Sequence, residues 1–274
     1  MPLLTSKLET ITCFCGQKFD TRVFLLEGRK YCKNLCPDCR KRKDAEDLKT
    51  QFAKELKEVK ESQRRDWFAK VGVPALFTGK TFDSFDSKLQ PKAFAAVKGY
   101  QGKSLVLYSP GTFGVGKTHL VCALAMHLIK IGQPAVAGHN YQYQIVTRPC
   151  PVHFTTEAKM LARIRETYDH RYDDSETERD VYKNLERFDL LILDEVAKVR
   201  PKDLSFLQSV YFNIIDSRYV NQMPIILTTN LSPAELEEHI GGACADRLRE
   251  MAPKENFLLM KGKSYRGTNY EEKK

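Results

Sequence analysis

The sequence predicts an α/β fold with a parallel central sheet, preceded by a small zinc-ribbon-like domain and a linker helix. Three observations carry this. A short apolar run at 104–109 leads straight into Gly111-Thr112-Phe113-Gly114-Val115-Gly116-Lys117-Thr118, and a helical pattern follows at once. A second aliphatic run, at 190–193, ends in Asp194-Glu195. Ahead of both, five of the eight cysteines fall between positions 13 and 39.

The first stretch reads as strand, phosphate-binding loop and helix. Gly111, Gly114 and Gly116 allow backbone turns that aim successive N–H groups at one point, where phosphate oxygens can sit. The helix that follows adds its positive end, Lys117 can reach the β- and γ-phosphates, and Thr118 offers a hydroxyl to Mg²⁺. The nucleotide-binding set is therefore Gly111, Thr112, Phe113, Gly114, Val115, Gly116, Lys117, Thr118 and His119, with Asp194 from the second stretch. The side chains of His119 and His127 read as ordinary helix positions, not ligands. In the second stretch a strand buried on both faces of a parallel sheet delivers two acids to its carboxyl edge, where such sheets bind ligands. Asp194 would hold Mg²⁺ through water, and Glu195 would polarise the attacking water as general base.

At 274 residues the chain has room for one full-sized domain plus something small. Its formal charge of +9 points to an acidic partner, nucleic acid ahead of an anionic membrane. No apolar stretch approaches the roughly 20 residues needed to span a bilayer. The opening MPLLTSKLET has no signal-peptide core, so a cytoplasmic location without a membrane partner is expected. In a reducing compartment, clustered cysteines suggest metal before disulfides.

Taken in order, Cys13-Phe14-Cys15-Gly16 looks like one metal knuckle, with the glycine permitting the tight turn, and Cys36-Pro37-Asp38-Cys39 a second. Alternating residues at 18–31 would make a hairpin between them. The expected Zn²⁺ ligands are Cys13, Cys15, Cys36 and Cys39, with Cys32 a possible substitute. From Asp44 to Phe68 apolar residues recur at helical spacing (Ala45, Leu48, Phe52, Leu56, Val59), a stripe that fits either a partner or the helix's own domain. The run 71–86 carries Gly, Pro and aromatics and fits a loop against a nucleotide base, or plain packing. After the phosphate loop, Leu120, Leu124, Leu128 and Ile131 form one apolar face and Gly132 ends the helix. Residues 133–151 read as a hairpin or inserted loop. A strand at 152–155 and a helix from 156 to about 168 follow, with Leu161, Ile164 and Tyr168 inward. Lys159 and Arg163 share the opposite face, as DNA phosphate contacts or as solvated surface. The charged run 170–187 gives no strong signal. A helix over 201–221 turns Leu204, Leu207, Tyr211 and Ile214 inward. Pro224–Asn230 is a buried strand with Asn230 at its tip. Ser232-Pro233-Ala234-Glu235 has the form of a capping box. That helix runs into Gly241-Gly242, a second helix carries Asp246-Arg247-Leu248, and 257–260 reads as a last strand.

Taken together, TFDSFD (81–86), GTFGVGKT (111–118), LLILDE (190–195), TTN (228–230), ADRLRE (245–250) and SYR (264–266) resemble the AAA+ ATPases of the DnaC/IstB type. The resemblance covers roughly residues 81–266. It implies ATP as substrate, Asn230 as sensor 1, Arg247 as an arginine finger acting on a neighbouring subunit, and Arg266 as sensor 2. A trans-acting finger in turn implies a homo-oligomer. The amino-terminal cysteines are similar to those of zinc-containing helicase loaders, which suggests a hexameric replicative helicase and single-stranded DNA as partners in DNA replication. An IstB-like regulator of transposition, or an ATP-gated binding module without significant hydrolysis, are the rival readings. The expected domains are 1–43 (zinc-binding), 44–70 (linker helix) and 71–274 (AAA+ ATPase).

Overall fold

The computed structural model describes residues 5–26, 29–139, 142–169, 176–198 and 203–265. Two compact units divide the chain: Met1–Glu61 with Pro134–Val146, and Ser62–Gln133 with Thr147–Lys274.

In the amino-terminal unit, β1 (Thr5–Thr12) pairs antiparallel with β2 (Lys18–Leu26), and β2 pairs with β3 (Arg29–Tyr31). The β2–β3 pair is the hairpin expected at 18–31. β1 has no counterpart in the sequence reading, because TSKLETIT holds only two apolar residues. Thr21 and Val23 are buried with Cys13, whereas Leu8 and Phe24 stay exposed. α1 (Pro37–Lys70) begins seven residues ahead of the Asp44 start expected from the apolar stripe. Pro37 explains the early start, since its fixed φ suits the first helical position. Ala45, Leu48, Phe52, Leu56 and Val59 are half-buried along it.

The second unit is built on a parallel sheet. α2 (Pro91–Lys98) precedes β4 (Leu105–Tyr108), and α3 (Lys117–Ile131) follows it. β5 (Ala135–His139) and β6 (Gln142–Val146) then form the antiparallel hairpin that groups with the amino-terminal unit. The ATPase-like chain resumes with β7 (Val152–Thr156), α4 (Glu157–Asp169), α5 (Glu178–Glu186), β8 (Leu190–Val196) and α6 (Leu204–Val220). β9 (Ile225–Thr229), α7 (Pro233–Ile240), α8 (Gly242–Met251) and β10 (Phe257–Leu259) complete the described part. The strands stand in the order β10-β4-β9-β8-β7, every neighbouring pair parallel. Among the described residues no helix is long and apolar enough to cross a membrane.

Alternation along each strand feeds two cores. Leu190 and Ile192 pack on one face with α2, α3 and Trp67; Leu191 and Leu193 pack on the other with α4 to α8. Leu105 and Leu107 against Val106, and Ile226 against Ile225 and Leu227, divide in the same way. A continuous aliphatic run is therefore what this position demands.

Three helix faces differ from their expectation. Ile131, Tyr168 and Leu204 are exposed, and Ile129, Met160 and Val210 are buried in their neighbourhoods. Each expected residue sits in the first or last turn, where the helix has run past the sheet. Gly132 ends α3 without a left-handed φ (−58°). A Cβ there would stand 2.2 Å from Cζ3 of Trp67, so the position requires glycine for close approach. α5, missed in the charged run, opens with a Thr177–Asp180 capping box and buries Val181 and Leu185.

Candidate nucleotide site and cysteine cluster

β4 ends at Tyr108, and the loop to α3 turns through positive φ at Gly111 (65°), Gly114 (71°) and Gly116 (95°). Gly116 caps α3, and Lys117 and Thr118 are the first two helical residues. Val115 is buried beneath the loop and Phe113 is exposed on its outside. The Lys117 ammonium donates to Oδ1 of Asn230 at 2.6 Å, and also to the hydroxyl of Ser109. Ser109 in turn donates to the Thr112 carbonyl at 2.7 Å, bracing the loop's first turn. The Thr118 hydroxyl lies 3.0 and 3.1 Å from the two oxygens of Asp194. Thr228 donates to Asp194 Oδ1 at 2.5 Å and accepts from the backbone N–H of Glu195 at 3.0 Å. Burial pushes the Asp194 carboxyl above its usual range, against the hydrogen bonds from Thr228 and Thr118.

Lys117, Thr118, Glu195, Thr228 and Asn230 line one cleft of about 380 Å³ at the carboxyl edge of the sheet, with Asp194 buried behind Thr118. The hydroxyl of Thr118 and the carboxylate of Asp194 are hard oxygen donors, the set that Mg²⁺ takes. Glu195 sits at φ 57° and Ala197 at φ 62°, two left-handed non-glycine residues in three, where the register of β8 against β9 shifts. The Lys198 ammonium pairs with Glu195 at 2.7 Å. The far wall of the cleft comes from the 71–86 loop and from Tyr265. Phe85 stacks on Phe94 and lies edge-on to His119. His119 Nε2 is 2.9 Å from the Thr81 carbonyl and 3.2 Å from the Ser84 hydroxyl, and burial holds its pKa down. Its imidazole thus fastens the 81–86 turn to α3. Tyr265 donates its backbone N–H to the Gly114 carbonyl at 3.0 Å. Arg266 lies outside the described residues.

Arg247 is absent from the lining of this cleft. It projects from α8 against α6, pairing with Asp216 at 2.8 Å and lying over the Phe212 ring at 4.9 Å. On α4, Lys159 is exposed, whereas Arg163 forks onto Glu176. Sequence reasoning missed Ser109, Thr228 and Lys198. Thr228 stood within the TTN run and Ser109 at the strand's end, so position alone could have flagged both.

The four cysteine sulfurs Cys13, Cys15, Cys36 and Cys39 lie within 4.8 Å of one another, and Cys15 and Cys36 are 3.7 Å apart. A tetrahedral Zn²⁺ with Zn–S bonds near 2.3 Å would set its ligands about 3.8 Å apart, so the cluster fits that ion. Gly16, at φ 89°, makes the turn beneath the first pair, and its N–H bonds the Cys13 carbonyl at 2.8 Å. The backbone N–H of Cys15 draws the Cys13 thiol down to about 6, while the side-chain hydrogen bond with Cys15 pushes the Cys39 thiol up to about 12. The second pair opens α1, and Arg42 donates to the Cys39 sulfur at 3.4 Å. Cys32 is exposed and is not among the clustered sulfurs.

The family model described as IstB-like ATP binding protein matches residues 57–272. No curated protein matches the chain. Among solved structures, the DnaC helicase loader aligns with a TM-score of 0.51 at 20% identity, over 69% of this chain and 100% of that one. DnaI aligns at 0.45 and 20%, over 69% and 92%. AMPPCP-bound DnaA from Aquifex aeolicus aligns at 0.48 and 19%, over 65% of this chain and 49% of DnaA. At these identities the DnaC likeness speaks for the fold, an AAA+ P-loop architecture.

Proposed function

From the premise that this chain belongs to the IstB-like ATP-binding protein family, we propose that it is an ATPase that loads a replicative helicase onto single-stranded DNA. One observation carries the hydrolytic part: Lys117, Thr118, Glu195 and Asn230 line a single cleft at the end of the phosphate loop, and the buried Asp194 stands behind Thr118 within hydrogen-bond reach of it. Lys117 would hold the β- and γ-phosphates, and Thr118 with Asp194 would hold Mg²⁺, which supplies charge neutralisation between the phosphates. Glu195 takes a proton from the attacking water as the oxygen approaches the γ-phosphorus, and Asn230 orients that water or a γ-oxygen. Charge spreads over the γ-phosphoryl oxygens in the transition state, and Arg247 of a neighbouring copy stabilises it. Its position away from the cleft of its own chain supports a role in trans. Arg266 stands as sensor 2 on the resemblance alone.

The loader assignment rests on the DnaC-like fold together with the cysteine cluster, read as a structural zinc site that folds the helicase-binding unit. Lys159 and Arg163 are the DNA contacts on α4; Arg163 would exchange Glu176 for a phosphate on binding. Glu195→Gln should lower turnover by about 10²-fold or more while ATP still binds, as expected for loss of a general base. Arg247→Ala should abolish stimulation on assembly but leave nucleotide affinity intact. A pull-down with the cognate helicase decides the partner, and no association with or without ATP discards the loader role. The IstB-like family description favours one competing reading, regulation of a transposase on duplex DNA, and preferential binding of duplex over single strand would select it.

A further inference from the structure

The residue that opens α4 has no place in the chemistry above. Glu157 is 3% exposed, a carboxyl-bearing side chain deep in the second core. One of its oxygens, Oε2, gathers three partners from three separate elements. Tyr211 of α6 donates its hydroxyl at 2.6 Å, His239 of α7 approaches through Nε2 at 2.8 Å, and the backbone N–H of Ala197 donates at 3.2 Å. The last of these is the left-handed residue two positions after Glu195, in the turn that aims the catalytic carboxylate. Each of the other two leads toward Arg247. Tyr211 precedes Phe212 and Asp216, which hold the guanidinium, and His239 lies in the last turn of α7, joined through Gly241 to α8.

We propose that Glu157 is a positioning residue that couples α4, the helix assigned to DNA contact, to the catalytic turn and to the finger-bearing helices. The inference rests on the ATPase reading. A left-handed non-glycine residue persists only where its surroundings over-determine it, and the bond to Glu157 supplies part of that constraint at Ala197. A displacement of α4 on binding nucleic acid moves Glu157, since it is that helix's first residue. Through Oε2 the displacement reaches the backbone that carries Glu195. A buried carboxylate with three satisfied donors would also serve as plain scaffolding, so the test must separate positioning from stability.

Full-length Glu157→Gln keeps the size and an acceptor oxygen but loses the charge that strengthens the three bonds; Glu157→Ala removes them. Both are compared with wild type for binding of a fluorescent ATP analogue, for turnover with and without single-stranded DNA, and for amide exchange at 195–198. Glu157→Ala is expected to lose about tenfold in turnover, a factor that corresponds to one modest interaction in the transition state. Its nucleotide affinity should stay within about twofold of wild type, stimulation by DNA should vanish, and exchange at Ala197 should accelerate. Glu157→Gln should fall between the two. Turnover and stimulation unchanged in both variants, or turnover, affinity and thermal stability declining in parallel, would overturn the proposal. If Glu157→Ala does not fold, Glu157→Gln decides alone. A wild type that binds ATP without hydrolysing it defeats the ATPase reading instead, and exchange at Ala197 then decides for Glu157: no acceleration in either variant rejects it.

Discussion

The two compact units are held together by different physics. The second unit buries two aliphatic cores on opposite faces of one parallel sheet, filled from alternate positions of the same strands. In the amino-terminal unit the buried cluster among the described residues is three cysteines, with Phe19 and Leu35 packed beside them. A unit so poor in apolar burial needs another source of folding energy, and four convergent sulfurs can supply one. With zinc held by those sulfurs, one domain of the chain would fold under control of a metal supply while its neighbour folds on hydrophobic burial.

The most forceful way to break this contrast is to take the metal away. Cys36→Ser, or a strong chelator, should cost the amino-terminal unit on the order of 10 kcal/mol of folding energy. Limited proteolysis should then cut within residues 5–61, while binding of an ATP analogue by the second unit is preserved. Joint unfolding of both units would show that they share a core after all. A smaller effect sharpens the other side. His153 is packed face to face on Phe188, ring centroids 4.8 Å apart, and burial lowers its pKa to about 4. The unfolded chain would take up that proton near pH 6.5, so stability contributed by the neutral ring is full above pH 6.5 and is lost as pH falls toward 4. The loss amounts to up to about 3 kcal/mol. His153→Phe should flatten this acid limb in chemical denaturation series at several pH values. An unchanged slope would place the sensitivity elsewhere, with the cysteine ligands as the first suspects. The smallest effect concerns Trp67 and Gly132, both within the second unit. Gly132→Ala would force a Cβ into the buried Trp67 ring and should cost about 1–3 kcal/mol. A drop in melting temperature of the second unit's transition alone is the expected signature.

How much of this was legible in advance follows from what each feature depends on. The phosphate loop, the acid pair and the capping box at Ser232 are local in sequence, and each appears where its spacing put it. The four cysteines are also brought together as expected, with the second pair at the start of a helix that the apolar stripe placed later. Features made by distant partners could not be read. Arg218 is buried because it donates to the carbonyls of Leu185, Phe188 and Pro224, gathered from the last turn of α5 and the connections before β8 and β9. Glu157 and His239 are buried because they meet each other across 82 positions of chain. Periodicity marks such residues as surface, and only tertiary pairing moves them inside. The inward faces of Ile131, Tyr168 and Leu204 failed for a related reason: a stripe states which side is apolar, not how far along the helix the sheet extends.

The glycines of the phosphate loop carry a final consequence. At Gly116 an added methyl would press within 2.6 Å of the Phe85 ring, and at Gly114 within 2.2 Å of the Ser264 hydroxyl. Hence the motif answers to two masters, an anion in front and a lid of side chains behind. Inactivation by an alanine at either position would be ambiguous in origin, and Lys117, whose ammonium reaches Asn230 inside the cleft, is the cleaner handle for asking whether a triphosphate is recognised.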